Sequence, residues 1–204
     1  MFIMTLPDKE RKMGRKGDKT KSNIAAAARK VFAQKGFART TMQDICNASG
    51  MSRGGLYRHF DSTSAVFIYI INEEQEKALA SLKLAIKTRV PAYKIFDKFL
   101  RARISQVLDA QTSIDNAVSE FVSCDPEGAA FLAGNINKSV KILADIIRIC
   151  RSERIFSCND PEGMARHIFW VIEGMSRHNA LIKITDSEIE KQIRLIYETL
   201  KFSG

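Results

Sequence analysis

Histidine, cysteine, proline and tryptophan are all scarce in this chain of 204 residues, which holds three, four, four and one of them. The histidines, His59, His167 and His178, are too few and too scattered for a catalytic cluster, and none lies in an H-E-x-x-H pair. The cysteines, Cys46, Cys124, Cys150 and Cys158, have no C-x-x-C spacing. That excludes a zinc ribbon and gives no disulfide framework, so buried reduced thiols are expected. There is no Gly-rich phosphate loop and no nucleophile elbow. Catalytic residues, cofactor and metal are therefore all expected to be absent. No stretch free of charge is long enough to span a membrane, and the apolar start is too short for a signal peptide. A cytoplasmic chain without membrane contact is expected.

What is present is helical periodicity and a lopsided charge. Hydrophobic residues make up 45% of the chain, ample for a core. The formal net charge is +9. Residues 1–64 carry 13 Lys/Arg and 5 Asp/Glu, a net of +8, which leaves +1 for residues 65–204. A polyanion partner for the N-terminal third explains that placement better than general solubility does.

Within the basic third, Thr40–Ser62 reads as two short helices around a tight turn. Thr40 and Thr41 can cap the first helix, and Met42, Ile45 and Cys46 share its apolar face. Gly50 can take the left-handed backbone that ends one helix and starts the next. Ser52 caps the second helix, whose apolar stripe is Leu56 and Phe60. Arg53, Gly54, Tyr57, Arg58 and His59 then face outward, a front suited to a DNA major groove. A preceding helix, Lys21–Lys35, carries Ile24, Ala27, Ala28, Val31 and Phe32 on one face.

Gly36-Phe37, Thr40-Thr41, Asp44-Ile45, Gly50-Met51-Ser52 and Gly55-Leu56-Tyr57-Arg58-His59-Phe60, in that order and spacing, resemble the DNA-binding domain of the TetR (tetracycline-repressor) family. The likeness spans roughly residues 19–67. It implies an all-α chain: a flexible basic arm at 1–18, a three-helix DNA-binding domain at 19–64, and a larger helical effector and dimerisation domain at 65–204. It further implies a homodimer on a palindromic DNA operator, released by a small apolar or amphipathic effector. The alternative is control by a protein partner or by cysteine oxidation. Thr41, Ser52, Arg53, Gly54, Tyr57, Arg58, His59 and Thr63 are the expected DNA contacts. The chain departs from the family where Thr63 stands in place of the usual Lys after Ser62, which puts one phosphate contact in doubt.

The rest of the chain is a series of amphipathic helices. Ser62 or Asp61 starts one that runs toward Thr88, before Pro91. Ala92–Asp109 carries Ile95, Phe96, Phe99, Leu100, Ile104 and Leu108 at helical spacing, with Arg103 on the same stripe. That cation needs a partner; Glu120 or Glu173 is expected, or else an anionic effector. Asp125-Pro126 and Asn159-Asp160-Pro161 mark two further helix starts. Gly174, inside the second of these helices, suggests close approach of another helix. Asp186 is expected to cap the last helix. The expected dimer seam is Ile168, Val171, Gly174 and Met175 with Ile189, Ile193, Ile196 and Leu200. Phe67, Phe99, Arg103, Phe121, Phe131, Trp170 and His178 are the candidates for an effector pocket. Cys150 and Cys158, near Arg151 and Arg154, are the pair a redox switch would use.

Overall fold

A computed structural model describes residues 8–109 and 113–201. Among these the chain forms nine helices and no strand: α1 (Asp8–Lys35), α2 (Met42–Ser49), α3 (Arg53–Tyr57), α4 (Thr63–Lys87), α5 (Ala92–Leu108), α6 (Asp115–Cys124), α7 (Pro126–Ser152), α8 (Pro161–Leu181) and α9 (Asp186–Thr199). The all-α expectation holds. The arm expected at 1–18 differs: from Asp8 onward its backbone is already the start of α1, and Met1–Pro7 lie outside the described residues.

Local chemistry sets most helix ends. Gly36 takes φ 78° and closes α1, its N–H bonding Phe32 O at 2.9 Å. Thr41 and Asp44 form a reciprocal capping box at the start of α2. Ser62 caps α4, its hydroxyl accepting the Ala65 N–H at 3.0 Å. The sequence D-P-E-G occurs at both 125–128 and 160–163, and each Asp accepts the glycine N–H three residues on, at 2.8 and 2.9 Å. A Cβ on either glycine would run into the capping Asp, and at Gly128 into the Phe121 ring as well. The last helix is capped by Thr185, one residue before the expected Asp186, because Thr185 completes a capping box with Glu188.

Two hydrophobic cores form. The N-terminal core joins α1, α2, α3 and the first turns of α4 to Ile114, Ala117 and Phe121 of α6 and Leu132 of α7. Its centre is aromatic: Phe37 and Phe67 each hold a ring centroid within 5 Å of Phe121, and Phe32 lies 4.9 Å from Phe67. The C-terminal core is built by α5, α7, α8 and α9 around Phe96, Leu100, Leu143, Ile147 and Ile168. Packing thus does not divide at residue 64, because the N-terminal core takes in α6. α9 is strapped to α5 at its edge: Tyr197 donates to Asp97 at 2.9 Å, and Arg101 bridges Asp97 and Glu190.

Two expectations about the C-terminal helices are corrected. Ile168, Met175, Ile193, Ile196 and Leu200, read as a dimer seam, are buried in the chain's own C-terminal core, with Val171 and Ile189 packed half-buried beside them. A stripe at helical spacing cannot say which neighbour covers it, and here that neighbour is intrachain. Gly174 has no atom within 4 Å of where its Cβ would be, so among the described residues no helix approaches it, and its place in the expected dimer seam stays open. Arg103 pairs with neither Glu120 nor Glu173 but with the Gln106 amide oxygen one turn on, at 3.1 Å.

Candidate nucleic-acid interface

Thr41 caps α2 and Ser52 caps α3, each hydroxyl accepting a backbone N–H three residues on. Gly50, at φ 67°, turns the chain between the two helices. α3 is shorter than its apolar stripe suggests. It ends at Tyr57, and Arg58, His59 and Phe60 form a turn in which the His59 and Phe60 N–H groups both reach Leu56 O. Leu56 and Phe60 are buried and hold α3 against the N-terminal core.

The outer side of these elements carries a cleft of about 470 Å³ lined by Thr40, Thr41, Met42, Gln43, Arg53, Tyr57, Ser62 and Thr63. Four of the expected contacts therefore meet there: Thr41, Arg53, Tyr57 and Thr63. Arg53 lies over the Tyr57 ring, 5.8 Å from its centroid. The first turns of α2 and α4 both open onto the cleft, and helix N-termini offer unsatisfied N–H groups to an anion. Ser52, Gly54, Arg58 and His59 lie outside it. Ser52, Gly54 and Arg58 are exposed, His59 is half-buried, and the Arg58 side chain is turned back onto Gly54 O at 3.3 Å. Gln43 was missed by the sequence reading, although its place two residues past the Thr41 cap puts it on the open side of the first turn. Thr40 and Ser62 were read as caps only. Thr40 is buried, and its hydroxyl donates to Gly36 O at 2.6 Å.

The floor of the interface is stiffened by charge. Lys35 of α1 pairs with Asp44 of α2 at 2.6 Å. That hydrogen bond, with those from the Thr41 N–H and hydroxyl, holds the Asp44 carboxyl down at about 2.

α6 connects this domain to the rest of the chain in a way the sequence did not signal. Glu120 accepts the Ala38 N–H at 2.8 Å, and its carboxylate fills the space beside Gly36. Next to it Phe121 is fully buried between Phe37 and Phe67.

The seven pocket candidates do not converge on one cavity. Phe67 and Phe121 belong to the N-terminal core, with Phe131 packed against it. Phe99 meets Phe169 edge-on at 6.2 Å. Arg103 is half-buried beside Gln106, while Trp170 and His178 are exposed on α8. Of the cysteine pair, Cys150 offers little thiolate. Burial, with Glu153 nearby, pushes the Cys150 thiol up to about 12. Arg151, expected to act on these thiols, donates instead to the Cys158 carbonyl at 3.3 Å. Among the described residues no His/Cys/Asp/Glu group could hold a metal, and no helix is long and apolar enough to cross a membrane.

A three-helix, capped helix-turn-helix mounted on a larger helical body defines a helix-turn-helix regulator fold. Residues 24–70 match the family model described as bacterial regulatory proteins, tetR family. The chain is 45% identical over 65 residues to an uncharacterised HTH-type transcriptional regulator, YfiR, of Bacillus subtilis, and 40% identical over 68 residues to the HTH-type transcriptional regulator UidR of Escherichia coli. These matches cover about a third of each chain: 32% of both in the first case, 33% of this chain and 35% of UidR in the second. Likeness of fold extends much further. GusR of Salmonella enterica superimposes with a TM-score of 0.66 at 25% identity, over 89% of this chain and 95% of that one. A TetR transcription regulator from Haloarcula marismortui superimposes with a TM-score of 0.72 at 17% identity, over 90% and 97%. Residues 24–70 thus match the tetR-family model, and the fold of the described residues as a whole is like that of solved regulators of this kind.

Proposed function

We propose that this chain is a sequence-specific DNA-binding transcriptional regulator that acts as a homodimer on a palindromic operator. The observation that carries the reading is the cleft where Thr41, Arg53, Tyr57 and Thr63 meet at two helix N-termini, in the third of the chain that holds +8 of the net +9 charge. Arg53, with Gly54 beside it, faces base edges from the start of α3, where a guanidinium can donate two hydrogen bonds to one guanine. Thr41, Ser52, Tyr57, Arg58, His59 and Thr63 hold phosphates, which position the domain without specifying sequence. Gln43 joins the phosphate set. One short recognition helix reads few bases, so two of them about 34 Å apart are needed for a usable site.

The surface left for a partner copy is the outer face of α8. Trp170 is 63% exposed, Leu181 is 85% exposed, and Gly174 between them leaves room for a close helix. Exposed apolar groups of this size on one helix are costly unless something covers them. A second copy of the chain, seated on α8, covers them here and sets the spacing of the two reading domains.

Release by a small molecule is the regulatory part of the proposal. It is supported by two mechanical links from the C-terminal helices to the reading domain: the continuous α4, and α6 through Glu120 and Phe121. A ligand that moves either element shifts a two-state equilibrium in half-site spacing. Control by cysteine oxidation is disfavoured by the raised Cys150 thiol. The test is selection of bound duplexes from a random library. A recovered inverted repeat with one-turn spacing is the expected result, and binding that enriches no motif would sink the operator reading.

A further inference from the structure

Between the two hydrophobic cores runs a layer where they do not meet. α4 leaves the N-terminal core at Ile71 and joins the C-terminal core at Leu82; α7 leaves the first at Leu132 and joins the second at Val140. In these intervals the helices present polar side chains to one another. Gln75 of α4 donates to the Asn135 carbonyl of α7 at 3.1 Å. Beside it Glu74 accepts from Gln106 of α5 at 3.4 Å, and Gln106 in turn accepts from Arg103 at 3.1 Å. Glu74 also pairs with Arg29 of α1, inside the reading domain.

Two donors in this layer lack the acceptor their chemistry calls for. Asn135 is 5% exposed, and its Nδ2 is the one buried side-chain nitrogen or oxygen among the described residues without a hydrogen-bond partner. A buried amide donor left unpaired costs stability, and native folds rarely keep one without a use for it. Arg103 is half-buried, and the group that accepts from it is a neutral amide. The carboxylates of the layer are already served. Glu74 has Arg29; Asp115 accepts the Ser176 hydroxyl at 2.6 Å and lies in the first turn of α6, where the helix dipole favours a negative charge. The unmet demand is for acceptors, and at Arg103 for a negative one.

We propose that this layer is the effector site and that the effector is a small organic acid, its carboxylate on the Arg103 guanidinium and a second acceptor oxygen on Asn135 Nδ2. The inference rests on the ligand-released reading above and gives that ligand its chemical class. It also gives the signal a route. An acid on Arg103 competes with Gln106, Gln106 holds Glu74, and Glu74 holds Arg29 of α1. Binding therefore loosens a polar chain that ties α5 to the reading domain, while apolar body atoms of the acid spread the two cores. A planar carboxylate suits a guanidinium fork, and a neutral amide of the same shape lacks the charge.

The test uses the full chain and a defined panel: acetate, hexanoate, benzoate and phenylacetate, each against its primary amide. The melting temperature is followed with concentration, since a ligand that binds only the folded state raises it. At least one acid should stabilise the wild type where its amide at equal concentration does not. The apparent Kd for that acid should rise at least tenfold in both Arg103→Met and Asn135→Leu. Without ligand, Asn135→Leu should melt higher than the wild type, because it removes the orphaned donor at nearly constant shape. The proposal is overturned if no acid stabilises the protein, if amides match acids, or if both variants keep wild-type affinity. An Asn135→Leu variant that melts lower would also overturn it, by showing that the amide is satisfied within the fold. Operator binding by the wild type is measured alongside. Operator binding without an acid response contradicts the acid site alone; an acid response without operator binding contradicts the regulatory reading.

Discussion

Arg53 is exposed at the first position of α3, lines the cleft and lies over the Tyr57 ring. Replacing Arg53 by Ala should relax preference at one or two base pairs, at about 1–3 kcal/mol each, visible as lost selectivity in competition binding. Tyr57→Phe keeps the ring and removes the hydroxyl. It should weaken binding to all sequences alike, with little change in selectivity, which separates a phosphate contact from base readout. Asp44 makes a different prediction, about pH. Its folded value, about 2, lies below the 3.8 of an ordinary Asp. Its contribution is therefore complete above about pH 4 and disappears as pH falls toward 2. Asp44→Asn should lower the melting temperature at neutral pH, and its difference from the wild type should close in acid; a difference that stays constant with pH would contradict this origin. At this scale the sequence was most legible where chemistry is local. The roles of Thr41 and Ser52 as caps and of Gly50 as a left-handed turn follow from residue type and spacing alone. The partner of Arg103 did not, because a helical stripe states which face a residue occupies and not what the neighbouring helix brings to it.

The two D-P-E-G starts give a controlled comparison between elements. A glycine inside a helix ordinarily gains about 1 kcal/mol on conversion to Ala. At Gly163 the added Cβ meets the Asp160 cap; at Gly128 it meets both the Asp125 cap and the Phe121 ring. Both substitutions should destabilise, and Gly128→Ala more, since it displaces the residue that docks α6 on the reading domain. Thermal melts of the two variants measure the difference. Equal melting temperatures would mean that Phe121 yields without cost. Phe121→Ala itself should cost about 3–5 kcal/mol, the usual range for a fully buried Phe. The helices α2, α4, α5, α7 and α8 were legible in the sequence to within a few residues, from capping signals and period; of α1 only the end was, since it begins at Asp8 and not at Lys21. The docking of α6 was not. Glu120 reads in the sequence as a partner for Arg103 and Phe121 as a pocket residue, and their docking role lies across the 82 residues that separate Glu120 from Ala38.

Across the whole molecule, charge is unevenly placed. The basic excess lies at one end, while α8 carries exposed Trp170 and Leu181 in the C-terminal part of the chain. In the proposed dimer, two such molecules joined through α8 would put two basic ends on one duplex. If the proposed dimer forms through α8, Trp170→Glu should give a monomer in sedimentation and take most operator affinity with it, while the buried core is untouched. A monomeric variant that still binds the operator at wild-type strength would remove dimerisation from the account. The sequence correctly placed amphipathic seams on α8 and α9 but assigned their buried stripes to the partner, since burial inside a chain and burial between chains leave the same periodic pattern. The most direct test of the central claim is a salt titration of binding, with stoichiometry, on the palindrome recovered by selection and on a duplex with one half-site scrambled. Two chains per palindrome, a steep fall of affinity with salt and a large loss on scrambling are the predicted results. One chain per site, or equal affinity for both duplexes, would contradict the claim that this protein reads DNA as a symmetric pair.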